Sequence, residues 1–142
     1  MIMPQLNPYL SFDGACAEAM KFYARVLDAK LEALITYAQA PMGEPVPPSH
    51  ADRIMHAYVV HKDFALMAGD TPPGVTYTGI NGVMMTLTYP TAAEGQRVFA
   101  ALAEGGTINM PLGETFWAES FGMVIDGFGT PWGINGGMKP RP

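Results

Sequence analysis

The feature that most constrains this chain is an internal repeat. Ala17, Glu18, Phe22, Tyr23 and Val26 match Ala93, Glu94, Val98, Phe99 and Leu102 in spacing and character, at an offset of 76 residues in a chain of 142. Two copies are too few for a solenoid, which needs at least three stacked repeats to bury a continuous core. They predict instead two related modules packed as pseudo-symmetric partners.

The pattern inside each copy gives the order strand, helix, three strands. In the first, residues 5–12 alternate, with Leu10 and Phe12 on one face and Asn7, Tyr9 and Ser11 on the other. Ala19, Phe22, Tyr23, Val26 and Leu27 then recur at helical spacing over 15–27. Residues 31–37 read as a second strand, and Pro41, Gly43, Pro45, Pro47 and Pro48 make 39–52 a long loop. Ile54 to His61 and Phe64 to Ala68 form a hairpin across Lys62 and Asp63. The stretch from Asp70 to Thr78, with Pro72, Pro73 and Gly74, reads as a linker. Module one is therefore expected over about 1–70, the linker over about 70–80 and module two over about 81–137. In the second copy Val83 to Tyr89 is a strand, and Thr91 with Glu94 forms a capping box that opens a helix to Ala103. Gly105 and Gly106 end that helix, and strands follow at 107–110, 118–125 and 131–135. The expected class is α+β: two βαβββ modules in tandem, curved mixed sheets forming a cleft, helices on the outer face.

Composition narrows the partners. Nearly half of the residues are apolar and 15% are charged, as in a folded globular chain. A net charge of -5 with only eight scattered Lys and Arg disfavours nucleic acid. Cys16 is the only cysteine, so no intrachain disulfide is expected and a reducing compartment is favoured. The first residues lack a basic segment followed by an apolar one, and no apolar run approaches the roughly 20 residues that span a bilayer. A cytoplasmic location with no membrane partner is expected.

Alternation in the third strand puts Ile54, His56, Tyr58 and Val60 on one face and Met55, Ala57 and Val59 on the other. The second set packs on the helices, which leaves His56 and Tyr58 facing a ligand. Histidine titrates near neutrality, so His56 is the candidate general acid or base; the competing role is a hydrogen-bonded wall residue. His61 falls on the opposite face, against a two-histidine clamp, and His50 lies in the proline-rich loop. Phe116, Trp117 and Phe121 offer an aromatic wall with Glu119 as counter-charge, or else core or subunit packing. Trp132 is assigned to the core face. Asp13 and Asp126 each precede glycine and read as helix-cap and turn residues. Cys16 sits near a helix N-terminus, where a thiolate is favoured, with small-residue packing as its other role. Met42, Met84 and Met85 fill core gaps or give an adaptable ligand surface.

Four segments in this order carry a family resemblance: Asn7-Pro8-Tyr9-Leu10 ahead of Ala17-Glu18-Ala19 and Phe22-Tyr23; Ile54-Met55-His56-Ala57; Phe116-Trp117 with Phe121-Gly122; and Asp126 to Gly129 with Trp132. The whole chain resembles the vicinal oxygen chelate superfamily, the glyoxalase, bleomycin-resistance and extradiol-dioxygenase group. Within it, the chain is similar to the PhnB-like branch, often labelled demethylubiquinone-methyltransferase-like. The resemblance implies paired βαβββ modules and a homodimer whose modules complete one another's clefts. It also implies, in metal-dependent members, ligands on the first and last strands of each module. Carried over, those positions are Asn7, near Leu66, near Met84, and Gly133. Leu, Met and Gly supply no suitable donor and Asn7 alone cannot hold an ion, so no metal is expected. No S-adenosylmethionine or other cofactor is expected either, because no helix follows the glycines at 133–137.

The expected function is binding of a small organic ligand in a cleft lined by Tyr9, Tyr37, His56, Tyr58, Trp117 and Glu119, with loop 39–52 as a lid. One alternative is a metal-dependent isomerase, lyase or dioxygenase using His56 and Glu119. Another is a sequestering protein of the antibiotic-resistance kind, whose acidic charge would suit a cationic drug. A third is an interaction module with its aromatic residues buried between subunits.

Overall fold

A computed structural model of the chain describes residues 4–40 and 46–140. The expected lid therefore lies partly outside the described residues, as does Met42. The elements run β1 Tyr9–Phe12, α1 Cys16–Val26, β2 Lys30–Thr36, β3 Ile54–Val60, β4 Ala65–Asp70, β5 Met85–Tyr89, α2 Ala92–Ala103, β6 Thr107–Gly113, β7 Ala118–Ile125 and β8 Pro131–Met138. They divide after Gly79 into two compact units. One sheet has the order β1-β4-β3-β2 and the other β5-β8-β7-β6. In each, the first strand lies parallel to the last strand of its module and the remaining pairs are antiparallel. This is the α+β class of two tandem βαβββ modules, each a four-stranded mixed sheet with one helix.

Each helix buries its apolar stripe on one face of its own sheet. In module one Cys16, Ala19, Met20 and Tyr23 of α1 are buried, as are Leu10, Phe12, Ala57, Val59 and Ala68 of the strands. In module two Val98, Phe99 and Leu102 of α2 are buried, with Val124, Trp132 and Ile134 of the sheet. Each large side chain so buried stabilises the fold by roughly 1.5–3 kcal/mol. Trp132 lies in the core as expected, and its indole N–H donates to Asp126 at 2.8 Å. The same carboxylate accepts from the Phe128 and Thr130 amides, so Asp126 builds the β7–β8 turn and anchors the core tryptophan together.

Several boundaries differ from expectation for local reasons. β1 starts only at Tyr9, because Pro4 and Pro8 lack the N–H a ladder needs. β6 continues past Pro111 to Gly113, which an edge strand tolerates, and its register shifts on both sides of Met110. β8 runs on through Gly136 and Gly137 to Met138 instead of ending at Asn135. It is a central strand, and the missing side chain at Gly136 admits α2. A Cβ there would stand 2.7 Å from the Thr91 carbonyl oxygen and 2.9 Å from the Ala92 Cα. Gly95 of α2 meets it directly, its own Cβ position being 3.1 Å from the Gly136 Cα.

The two helices are capped differently. Thr91 caps α2, its hydroxyl oxygen accepting from the Glu94 amide at 3.2 Å and its hydroxyl donating to the Glu94 carboxylate at 3.0 Å. Asp13, expected as the cap of α1, instead pairs with Arg53. The acceptor at that helix is Asp70, the last residue of β4 and not part of a linker. Its Oδ1 takes the amides of Gly14 at 2.8 Å and Cys16 at 3.1 Å, and its Oδ2 takes that of Ile54 at 2.8 Å.

Candidate functional site

The face of the module-one sheet opposite α1 carries Tyr9 from β1, Met67 and Gly69 from β4, and Tyr58 and His56 from β3. The register sets Tyr9 opposite Met67 and Met67 opposite Tyr58, so the three strands present these side chains in one patch. The His56 ring stacks against both tyrosines, with centroids 6.0 Å from Tyr9 at 26° and 6.4 Å from Tyr58 at 21°. Tyr9 reaches across β4 to donate its hydroxyl to the Met55 carbonyl at 3.1 Å. Gly69 makes that crossing possible, since a Cβ there would lie 2.8 Å from the Met55 oxygen and 2.9 Å from the tyrosine hydroxyl. Burial holds the Tyr9 pKa above its ordinary value, with Cys16 and Tyr37 adding to the effect. The His56 ring is half-buried, and its imidazole makes no hydrogen bond among the described residues.

Tyr37 does not join this face. It is 5% exposed, and its hydroxyl donates to the Asp70 carbonyl at 2.8 Å. A register shift between Ile35 and Thr36 is the cause: Ile35 pairs with His56 but Thr36 pairs with Ile54, so one residue of alternation is lost and Tyr37 turns to the opposite side. Burial raises its pKa, and the Asp70 carboxylate raises it further. Cys16 is fully buried, and burial together with Asp70 pushes its thiol up to about 12. That overrides the helix dipole, and a thiol so held is no nucleophile at neutral pH.

Module two presents a different face. Phe121 pairs with Asn135 and Met123 with Gly133 across β7 and β8, and Thr88 pairs with Asn135 from β5. The Trp117 indole donates to the Asn135 side-chain oxygen at 2.8 Å, and the Asn135 amide donates to the Thr88 hydroxyl at 3.4 Å. Trp117 meets Phe116 edge-on at 4.9 Å and Phe121 at 5.3 Å. Glu119 lies between Trp117 and Phe121 in the sequence, exposed, with its side chain folded back over Gly137. Trp117 and Glu119 are thus brought together, while Tyr9, His56 and Tyr58 form the separate group of module one. Asn135, Thr88 and Gly69 hold the side chains of these two faces in place, and the sequence does not announce them. For Asn135 the run Gly133 to Gly137 is the available signal, because glycines inside a strand mark places where something else crosses closely.

A glyoxalase/bleomycin resistance protein/dioxygenase domain from Frankia sp. EAN1pec shares the fold, with a TM-score of 0.61 at 11% identity over 96% of this chain and 99% of that one. That likeness shows a shared fold of tandem βαβββ modules, the class to which the chain conforms. The chain belongs to the PhnB-like family described as 3-demethylubiquinone-9 3-methyltransferase, which matches residues 4–135. Protein YjdN of Escherichia coli strain K12 is 38% identical over 142 residues, covering 92% of this chain and 93% of its own length. Among solved structures, protein PA1353 from Pseudomonas aeruginosa is 46% identical with a TM-score of 0.87, over 94% of this chain and 97% of that one. The PhnB protein of Bacillus cereus is 26% identical with a TM-score of 0.76, over 93% and 98%.

Metal-dependent members of the group that the sequence resembles hold a divalent ion, and the family description implies a methyl-donor cofactor; the residues at the corresponding positions fit neither group. Among the positions carried over from the resemblance, Leu66, near the second, is a core residue at 5% exposure, and Gly133 lies beneath the Met84 thioether, whose sulfur is 2.9 Å from where a Cβ would stand. A thioether and a bare backbone do not replace imidazole or carboxylate for a hard ion. Among the described residues no three of His, Cys, Asp or Glu are grouped to hold a metal. A methyl-donor site of the Rossmann kind needs a glycine-rich turn from strand into helix. Here the glycines of 133–137 lie within β8, and Gly136 is filled by α2. No helix among the described residues is long and apolar enough to cross a membrane.

Proposed function

We propose that this chain binds a small organic ligand on the open face of the module-one sheet, without the superfamily's metal, and that His56 is the group that meets the ligand's polar atom. The observation that supports this reading most directly is the state of the imidazole. It lies against two phenol rings, half-buried, with neither nitrogen bonded among the described residues. An imidazole held for structure is normally hydrogen-bonded. This one is left able to donate, to accept or to carry a proton between positions on a ligand. Tyr9 and Tyr58 supply apolar walls beside it. Trp117 and Glu119 give module two a second ligand surface in the same reading. The protein acts as a cytoplasmic homodimer, in keeping with its single buried cysteine and its superfamily.

The test begins with elemental analysis of untagged protein purified without added metal, followed by thermal shift with Zn, Ni, Mn and Fe(II). Substoichiometric metal and an unchanged Tm are expected with all four. A library of small organic acids, ketones and phenols is then screened against the wild type and His56→Phe. Compounds that raise the wild-type Tm should lose that effect in the variant. One tightly held metal per chain, or hits that stabilise both proteins equally, would overturn the reading.

A further inference from the structure

Module two carries a charge that its fold does not use. Glu119 is exposed and has no ion-pair partner among the described residues. Lys139, whose amide donates to the Trp117 carbonyl at 2.8 Å, is committed elsewhere: its Nζ donates to the Glu114 carboxylate at 2.8 Å. That pairing braces the segment that displays Trp117 and leaves Glu119 unopposed. Phe116, next to it, is 80% exposed, a large apolar ring held in water against the edge of an indole. The indole in turn is fixed by Asn135, and Asn135 by Thr88. Two fixed hydrogen bonds thus orient an aromatic wall beside a free carboxylate.

A ligand that covers this wall and extends over Glu119, two residues on from Trp117, also removes water from the carboxylate. A neutral ligand leaves a desolvated charge uncompensated, and an anion adds repulsion. A ligand with an apolar surface and a positive charge satisfies both halves, because aromatic faces attract cations and the carboxylate pairs with them. We propose that Phe116, Trp117 and Glu119 form a subsite for an organic cation, an alkylammonium group. The inference deepens the ligand-binding reading above and rests on it.

The probes are choline and its neutral carbon isostere 3,3-dimethylbutan-1-ol, titrated into the full chain. The readout is the indole N–H signals in a proton–nitrogen spectrum. The sequence has two tryptophans, and Trp132 is buried against Asp126, so it serves as an internal control. Trp117→Phe assigns the responsive signal. Choline should shift the Trp117 signal saturably and bind about tenfold more tightly than the isostere. Glu119→Gln, at an exposed position that does not endanger folding, should weaken choline about fivefold and leave the isostere unchanged. If the isostere binds as tightly as choline, or Glu119→Gln leaves choline binding unaltered, the cation assignment fails while a ligand-binding aromatic face survives. If neither probe shifts Trp117, the subsite is overturned, and the broader reading then stands or falls on the His56 screen.

Discussion

Module one starts its helix against a carboxylate supplied by the last strand of the module, whereas module two starts its helix with a threonine one residue ahead of it. The difference traces to one pair of matching positions. Phe12 of β1 pairs with Asp70, and Tyr89 of β5 pairs with Gly136, so Asp70 and Gly136 occupy the same place in the two sheets. Where module one has a side chain, that side chain fills the gap and satisfies the helix's free amides. Where module two has none, the helix settles onto the strand and must cap itself. One topology therefore accepts either solution, polar bridge or direct contact. The residue at this position decides which.

The sharpest way to break the comparison is to remove each cap. Asp70→Ala leaves the amides of Gly14, Cys16 and Ile54 without their acceptor and should cost roughly 3–5 kcal/mol. Thr91→Ala should cost about 1 kcal/mol. Urea unfolding followed by circular dichroism measures both, and equal losses would show that the carboxylate bridge has no special weight.

A second contrast lies on the opposite faces. Gly69 is enclosed by the Met55 carbonyl and the Tyr9 hydroxyl, while Gly133 lies beneath the free end of Met84. Gly69→Ala should destabilise by about 2 kcal/mol and release the Tyr9 ring, whereas Gly133→Ala should cost less than about 1 kcal/mol because a methionine terminus moves aside. The Tyr9 ring signals by NMR report the first effect. Should Gly133→Ala prove the costlier, the two faces do not differ as described.

The smallest effect concerns Cys16, whose counterpart 76 residues on is Ala92. Its thiol pKa is raised from 9.0 to about 12 in the fold, so the thiol's contribution is complete below pH 9 and is lost as pH rises toward 12. Cys16→Ala should flatten the alkaline fall in Tm relative to the wild type. At pH 8 the native thiol should resist a disulfide reagent that modifies the urea-unfolded chain at once. Rapid labelling of the native protein would contradict the burial.

Periodicity makes much of this readable without a structure. The helices follow from their apolar spacing, and the alternation in β3 separates His56 and Tyr58 from the helix-facing Ala57 and Val59. What escapes the sequence is whatever depends on a second segment. Asp70 precedes Thr71-Pro72-Pro73 and so resembles the start of a linker, since its amide partners lie as far as 56 residues away in the chain. Tyr37 follows strict alternation in the sequence, but the register shift after Ile35 depends on β3, and only pairing reveals it. Gly136 and Gly137 look like a strand's end until α2 is seen to need the space. Asn135 is ordinary until Trp117 and Thr88 arrive on either side of it.

The outer strand of module two has a further consequence. Ile108 and Met110 are exposed on β6, an edge that would otherwise template the addition of a strand from another molecule. Pro111 has no N–H to give such a strand, and the shifts in register on both sides of Met110 spoil the even spacing it would need. The edge is apolar yet a poor start for a fibre, so the same irregularity that lengthens β6 also guards the folded chain against growing its sheet by accretion.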